Sequence, residues 1–306
     1  MGKNKKDVLE KSLEAHNDVF ADIMNAVLFG GKHEVAEEEL EDAATVSAYW
    51  GNNGLREQNR DAAKYWKKAR IRVARFGTEN QTNPDPDMPL RVIGYDGAAY
   101  RDQLRYETGE DGKRRLNQDP RYPVITLVLY FGYKTRWNGP KRLTEALSNI
   151  PEEIRPFVSD YEIHIIEVAW LTDEEIERFT SDFRIVVDFF AQKRKNGDYK
   201  PTDRKIIHVN ETLELLNAVT HDNRFAKAAE EGKEKPKNMC EVLDRVENRG
   251  IQKGLQKGMQ KGIQKGRVME YVALRREEGY GAESILQGLM ERFRLTKEQA
   301  TKYLEK

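Results

Sequence analysis

A single cysteine, Cys240, stands in this 306-residue chain, which excludes an intrachain disulfide framework and any cysteine-based zinc finger. An excess of either charge is missing too. The 52 Lys and Arg balance the 52 Asp and Glu, so the chain is not a uniformly basic, histone-like coat for nucleic acid. The longest strongly apolar run, Val124–Phe131, is interrupted by Thr126 and falls far short of the ~20 residues that span a bilayer. The opening MGKNKKDVLEK passes from basic residues into further charge rather than an apolar stretch, and it lacks the Ser or Thr of a myristoylation pattern. A cytoplasmic protein with no membrane partner is the expectation. There is no G-x-x-x-x-G-K-[ST] phosphate loop and no G-x-S-x-G nucleophile elbow. The five histidines, His16, His33, His164, His208 and His221, are scattered without an H-E-x-x-H.

What is present is a separation of charge along the chain. From Arg249 onward there are 13 basic and 7 acidic residues, so a basic tail follows a mildly acidic body. With 38% hydrophobic residues the chain can bury one sizeable core and an appendage.

Apolar spacing predicts a helix from about Lys5 to Phe29, stopped by Gly30-Gly31, and an acidic stretch over Glu34–Ala48 that is helical in whole or in part. Gly51-Asn52-Asn53-Gly54 reads as a break. Asp61–Lys68 suits strand or helix, whereas Ile71–Phe76 suits a strand. Met88-Pro89 opens a helix that runs to about Leu104, with proline in its first turn. Glu107–Asp119 reads as a surface loop, and Tyr122–Gly132 as a strand buried on both faces. Tyr161–Leu171 is a further strand. Helical patterns follow over Thr172–Lys193, Asn210–His221, Asp222–Glu231 and from Met239 onward. Strands first and helices later give an α/β domain with a helical extension.

Residues 249–267 repeat the unit Gly-Ile-Gln-Lys with Leu and Met variants. A period of four advances 400° on a helix, so Ile251, Leu255, Met259 and Ile263 drift about 40° per repeat and stay on one side. This connector is expected to be helical when packed, and its apolar stripe is a surface for a homodimer. The last stretch, 268–306, reads as a small helical module broken at Gly279–Gly281 and near Leu295-Thr296, with Thr296 as an N-cap.

Candidate chemistry rests on carboxylates. Glu79-Asn80-Gln81 ends a strand, and Asp61 lies eighteen residues before Glu79. Were the segments bearing Asp61 and Glu79 to pair, two carboxylates and the backbone carbonyl of Asn80 would converge on one cation. That is the oxygen environment that Mg²⁺, Mn²⁺ or Ca²⁺ accepts. Gln81 would share the face of Glu79 and orient an attacking water, without supplying positive charge. An E-x-Q tripeptide is too short to separate this site from a solvated surface.

The surrounding residues carry more. Arg60-Asp61, then Phe76-Gly77-Thr78-Glu79-Asn80-Gln81-Thr82, Met88-Pro89-Leu90-Arg91, Tyr95-Asp96, Tyr100 and Gln103, resemble the recombination-promoting nuclease / putative transposase family (Rpn). That family belongs to the PD-(D/E)XK nuclease superfamily. Pro123-Val124, Leu129-Tyr130-Phe131-Gly132, Ser181-Asp182-Phe183, and Met239-Cys240-Glu241-Val242 before the four-residue repeats extend the resemblance over roughly Asp18 to Arg267. It implies a restriction-endonuclease-like mixed sheet flanked by helices over residues 1–200. A helical extension over 201–248, the connector and the terminal module would follow.

The resemblance also implies a divalent-metal-dependent DNA endonuclease, linked to recombination or mobile elements. Asp61 and Glu79 become metal ligands, and Gln81 takes the place where most of the superfamily carry lysine. An acidic residue of the first helix is a further candidate ligand: Asp18 fits best, with Glu14 and Asp22 on the same face, against the alternative of an ordinary solvated helix face. Arg91 and Tyr95 become candidate phosphate contacts, although Arg91 suits a structural ion pair equally well. Lys253, Lys257, Lys261 and Lys265 become candidate DNA contacts along the repeats. The competing reading is a catalytically degenerate nuclease fold that binds DNA or protein.

Overall fold

The computed structural model describes residues 13–51, 54–222, 224–230 and 234–305. The start of the expected opening helix, before Leu13, lies outside the described residues. The chain divides into two compact units, 1–243 and 244–306.

The first unit is built on a five-stranded mixed sheet. Its strands are β1 (Leu40–Asp42), β4 (Ala62–Lys68), β5 (Ile71–Gln81), β8 (Val124–Tyr130) and β9 (His164–Glu167), in the order β1-β4-β5-β8-β9. β4 runs antiparallel to both β1 and β5, while β5, β8 and β9 are parallel. β2 (Val46–Gly51) and β3 (Gly54–Asn59) form a separate antiparallel ribbon whose closing pair, Gly51 with Gly54, brackets the glycine-flanked break.

The ambiguous segment after Asp61 is therefore a strand. It joins β5 through a two-residue turn, Ala69-Arg70, between the paired Lys68 and Ile71. Both turn residues lie at positive φ, 49° and 71°. That conformation matches the right-handed twist of the flanking strands, and it is reached here without the Asn-Gly that advertises such turns.

Helix α1 (Asn17–Leu28) buries Val19, Phe20, Ile23 and Met24, and the buried ammonium of Lys64 on β4 lies 5.8 Å from the Phe20 ring. Helix α2 (Met88–Asp102) links β5 to the parallel β8. It packs Met88 and Val92 against Val128, Tyr130, Trp137 and Ile163. β8 is buried at nearly every position, as its unbroken apolar run requires.

After the sheet the chain continues through α3 (Phe183–Asn196), α4 (Val209–Thr220), α5 (Arg224–Glu230) and α6 (Met239–Glu277), most of which belongs to the second unit. The aromatic side chains of α3 reach the sheet's end, where Phe131 meets Phe183 and Phe190 at 6.5 and 5.2 Å. In the second unit, Val268 and Val272 of α6 pack with Ile285 and Leu289 of α7 (Ala282–Phe293) and Ala300 of α8 (Lys297–Leu304). Thr296 caps α8: its hydroxyl accepts from Gln299 N–H, and its own N–H donates to the Gln299 side chain.

The fold is thus a mixed sheet flanked by helices with a helical C-terminal region, as expected, and three local readings are narrowed or corrected. Glu34–Ala48 is helical only in part. It holds one 3₁₀ turn, Glu37–Glu39, and then enters β1 and β2, because Leu40 is buried and Glu41 and Asp42 pair with Lys67 and Lys64 on β4. Glu107–Asp119 is not wholly a loop, since β6 (Tyr106–Thr108) and β7 (Arg114–Leu116) pair across it. The strand expected over Tyr161–Leu171 keeps only His164–Glu167 before turning into a 3₁₀ helix at Val168–Trp170. No described helix is long and apolar enough to cross a membrane.

Candidate metal centre at the end of the central strand

The β4–β5 register pairs Ala62 with Thr78, which sets Asp61 opposite Glu79 at the open end of the two strands. Directly opposed residues of an antiparallel pair project to the same face. Asp61 is half-buried, and its Oδ2 accepts the Asn80 N–H at 2.7 Å. An extended residue points its N–H and C=O to the same neighbour, so the Asn80 carbonyl faces the Asp61 side as well. The Asn80 side chain takes the opposite face and donates to Glu14 Oε1 at 2.9 Å. Gln81 returns to the face of Glu79.

Glu79 is 3% exposed. Its Oε1 accepts from the Arg91 guanidinium in a close ion pair, and the Tyr95 hydroxyl approaches at 3.5 Å. Its Oε2 is buried and has no hydrogen-bond partner among the described residues. Burial, and then the neighbouring Asp61 carboxylate, push the Glu79 carboxyl from its ordinary 4.5 up to about 8, against the pull of Arg91 and Arg60. Burial raises Asp61 as well, opposed by the Asn80 N–H and by Arg91. Two carboxylates held together in a desolvated place carry more negative charge than their surroundings offset.

Helix α2 supplies one of the local cations, Arg91. Arg91 also donates to Asp85 Oδ2 at 2.7 Å and to the Tyr95 hydroxyl at 3.3 Å, while that hydroxyl donates to the Asn59 carbonyl at 2.7 Å. Beneath it Arg60, 1% exposed, reaches Asp96 at 3.4 Å and Thr126 at 3.2 Å. It lies 5.0 Å from the Tyr95 ring centre. Asp96 in turn accepts from the hydroxyls of Thr126 and Tyr161, at 2.6 and 2.5 Å. Gly77 makes room for this arginine, because a Cβ there would collide with Arg60 Nη1.

Residues 76–220 match the family model described as "Putative transposase, YhgA-like". That segment belongs to the family. The YhgA-like family is the Rpn family of PD-(D/E)XK proteins, and its segment contains Glu79, Gln81, Arg91 and Tyr95, with Asp61 upstream of it. No curated protein and no solved structure matches the chain.

The structure brings Asp61, Glu79, Asn80, Arg91 and Tyr95 together, and strand alternation puts Gln81 on the Glu79 face. Asp18 is placed elsewhere, hydrogen-bonded through both oxygens to His208 Nε2 at 3.0 and 2.9 Å. Asp22 accepts the backbone and hydroxyl groups of Thr180 and Ser181. The acidic residue of this region that touches the site strand is Glu14. Lys253, Lys257, Lys261 and Lys265 are exposed on α6, in the second unit.

Two residues of the site, Arg60 and Asp85, take no role in the sequence reading, and Glu14 enters it only beside Asp18. Arg60 figures there only as the neighbour of Asp61, and Glu14 lies in a 3₁₀ turn, Leu13–Ala15, ahead of the helix that carries Asp18. Asp85 lies in a turn rich in Asn, Pro and Asp that reads only as a turn. Just past Gln81, a cavity of about 690 Å³ opens at Thr82–Pro84, lined by Tyr133, Phe189, Tyr199 and Phe225.

Proposed function

We propose that this YhgA-like protein is a divalent-metal-dependent DNA endonuclease that acts in recombination or on mobile elements. The observation that carries the reading is the buried, unpartnered Glu79 Oε2 beside the half-buried Asp61. An oxygen-only pair of this kind fits Mg²⁺ or Mn²⁺ and is a poor match for softer metals. Asp61, Glu79 and the Asn80 carbonyl would hold the ion. When bound, such an ion lowers the pKa of water and offsets charge on a phosphodiester.

The chain's own residues do the rest. Gln81, on the Glu79 face, accepts from and donates to a water through its amide, which fixes the water's orientation without taking its proton. Tyr95 and Arg91 border the carboxylates, and a phosphate drawn to the ion would compete with Asp85 for the Arg91 guanidinium. Arg60 is committed to Asp96 and Thr126, so its part is to hold Tyr95 from below.

A second reading has one observation in its favour. Arg91 already contacts Glu79 Oε1, so the fold could serve as a DNA-binding module with an arginine where an active enzyme keeps its ion. Incubating the full chain with supercoiled plasmid in Mg²⁺, Mn²⁺ or EDTA separates the two. The nuclease reading expects nicked and linear products with either ion and none in EDTA. Retarded but intact plasmid under all three conditions would favour the binding module.

A further inference from the structure

Two histidines separated by most of the first unit meet where two helices begin. His16 immediately precedes α1, and His208 immediately precedes α4. Their rings stack with centroids 3.7 Å apart and planes 21° from parallel. Asp18, in the first turn of α1, lies 3.0 and 2.9 Å from His208 Nε2 through its two oxygens. Glu211, in the first turn of α4, lies 4.0 Å from His16 Nε2. One donor atom from each of His16, Asp18 and His208 falls within 4.8 Å of the others.

We propose that His16, Asp18 and His208, with Glu211 as a fourth donor, form a binding site for a borderline divalent transition metal, for which Zn²⁺ is the probe. Two imidazoles and two carboxylates are a ligand set that suits Zn²⁺ and does not suit Mg²⁺. A tetrahedral ion with bonds of about 2.0–2.1 Å holds its ligand atoms roughly 3.3 Å apart. The His208–Asp18 edge is already at that scale, and the His16–Glu211 edge needs less than an ångström of closure. The rings must splay from their stack so that both lone pairs meet at one point, a side-chain rotation that half-exposed residues can make.

Charge favours a cation on balance. The positive ends of two helices oppose it, but Asp18 and Glu211 stand in those first turns. A third carboxylate, the buried Asp182, accepts the N–H groups of Ile207 and His208 at 2.9 and 2.6 Å. The nearest ammonium, Lys64, is occupied by Asp42 and the Ala15 carbonyl at 2.5 and 2.7 Å. A metal-free clamp between α1 and α4 would require only the His208–Asp18 pair. His16, stacked on that pair and facing Glu211, is what a clamp leaves without a purpose.

The test is Zn²⁺ titration of tag-free, EDTA-stripped full chain against a chromophoric chelator, followed by Co²⁺ loading read in the visible spectrum. Wild type is expected to take up one Zn²⁺ per chain and to give the intense bands of tetrahedral Co²⁺. His16→Ala changes a side chain that is 35% exposed, so the fold should persist. It is expected to weaken Zn²⁺ by at least about tenfold, since even outer groups around a metal cost 10–100-fold when removed. Asp18→Asn provides a second variant of unchanged size with the same expectation, and Glu79→Ala should bind Zn²⁺ as wild type does. No uptake by folded wild type, wild-type affinity in both His16→Ala and Asp18→Asn, or loss in Glu79→Ala alone would each overturn the proposal. The last result would assign the ion to the strand-end pair.

Discussion

Glu79 is the residue on which the account turns, and its titration gives the first prediction. In the metal-free protein its carboxyl is raised from 4.5 to about 8, so between those values the folded state holds a proton that the unfolded chain has released. Stability therefore falls as pH rises through that window, the sense opposite to that of a salt-bridged carboxylate. Chemical denaturation of metal-free wild type at pH 5 and pH 8 should show this fall, and Glu79→Gln should flatten it. An unchanged slope in the variant would place the titrating group elsewhere.

At this scale the motif was legible because Glu79, Asn80 and Gln81 are contiguous and each needs only strand alternation to find its face. The pairing of Asp18 with His208 was not legible. It depends on a partner 190 positions away, brought in by a helix whose approach no local spacing records.

At the scale of elements, the β4–β5 hairpin is what converts a tripeptide into a site. Asp61–Lys68 was ambiguous in sequence because Ala and Lys favour helix while Tyr65 and Trp66 suit either, and its turn, Ala69-Arg70, uses two residues that seldom occupy positive φ. Their strain is tolerated because β4 is gripped on both sides, by β1 and by β5. Replacing Arg70 with Gly should relieve part of it and raise stability by about 0.5–1 kcal/mol in denaturant melts. A destabilised variant would show that the Arg70 side chain contributes more than its backbone costs.

The buried set Arg60, Asp96, Thr126 and Tyr161 fastens α2 and β8 to the residue before Asp61. Removing one member strands a buried charge, so Asp96→Ala should cost about 3–5 kcal/mol. A melt within about 1 kcal/mol of wild type would mean that Arg60 finds water or another acceptor. Helix α2 and strand β8 were readable from Pro at the helix start and from an unbroken apolar run. β1 and β6–β7 were missed because three-residue strands carry too little periodicity and are held by their neighbours' pairing.

Across the whole molecule the acidic body and basic tail resolve into two units, and the repeats lie on one helix, α6, that is 39 residues long. Its lysines recur with its apolar residues but half a turn away from them, since two positions advance 200°. Ile251, Leu255, Met259 and Ile263 are 61%, 73%, 69% and 49% exposed, so the folded chain leaves this stripe uncovered. Each glycine at the start of a repeat costs about 1 kcal/mol relative to alanine, a reason for a bare helix here to be marginal on its own.

If the lysines bind phosphate, changing Lys253, Lys257, Lys261 and Lys265 together to Gln should weaken DNA binding and reduce the log–log salt slope by about 3–4, near 0.9 for each phosphate no longer neutralised. An unaltered slope would remove the repeats from the DNA interface.

If Asp61 and Glu79 hold a divalent ion for DNA hydrolysis, the initial rate of plasmid nicking by Glu79→Ala beside wild type in Mg²⁺ or Mn²⁺ is the measurement to make. Losing several kcal/mol of transition-state stabilisation, at about 1.4 kcal/mol per decade, predicts a rate lower by about 1,000-fold or more with the fold intact. Nicking at the wild-type rate by Glu79→Ala would contradict the account.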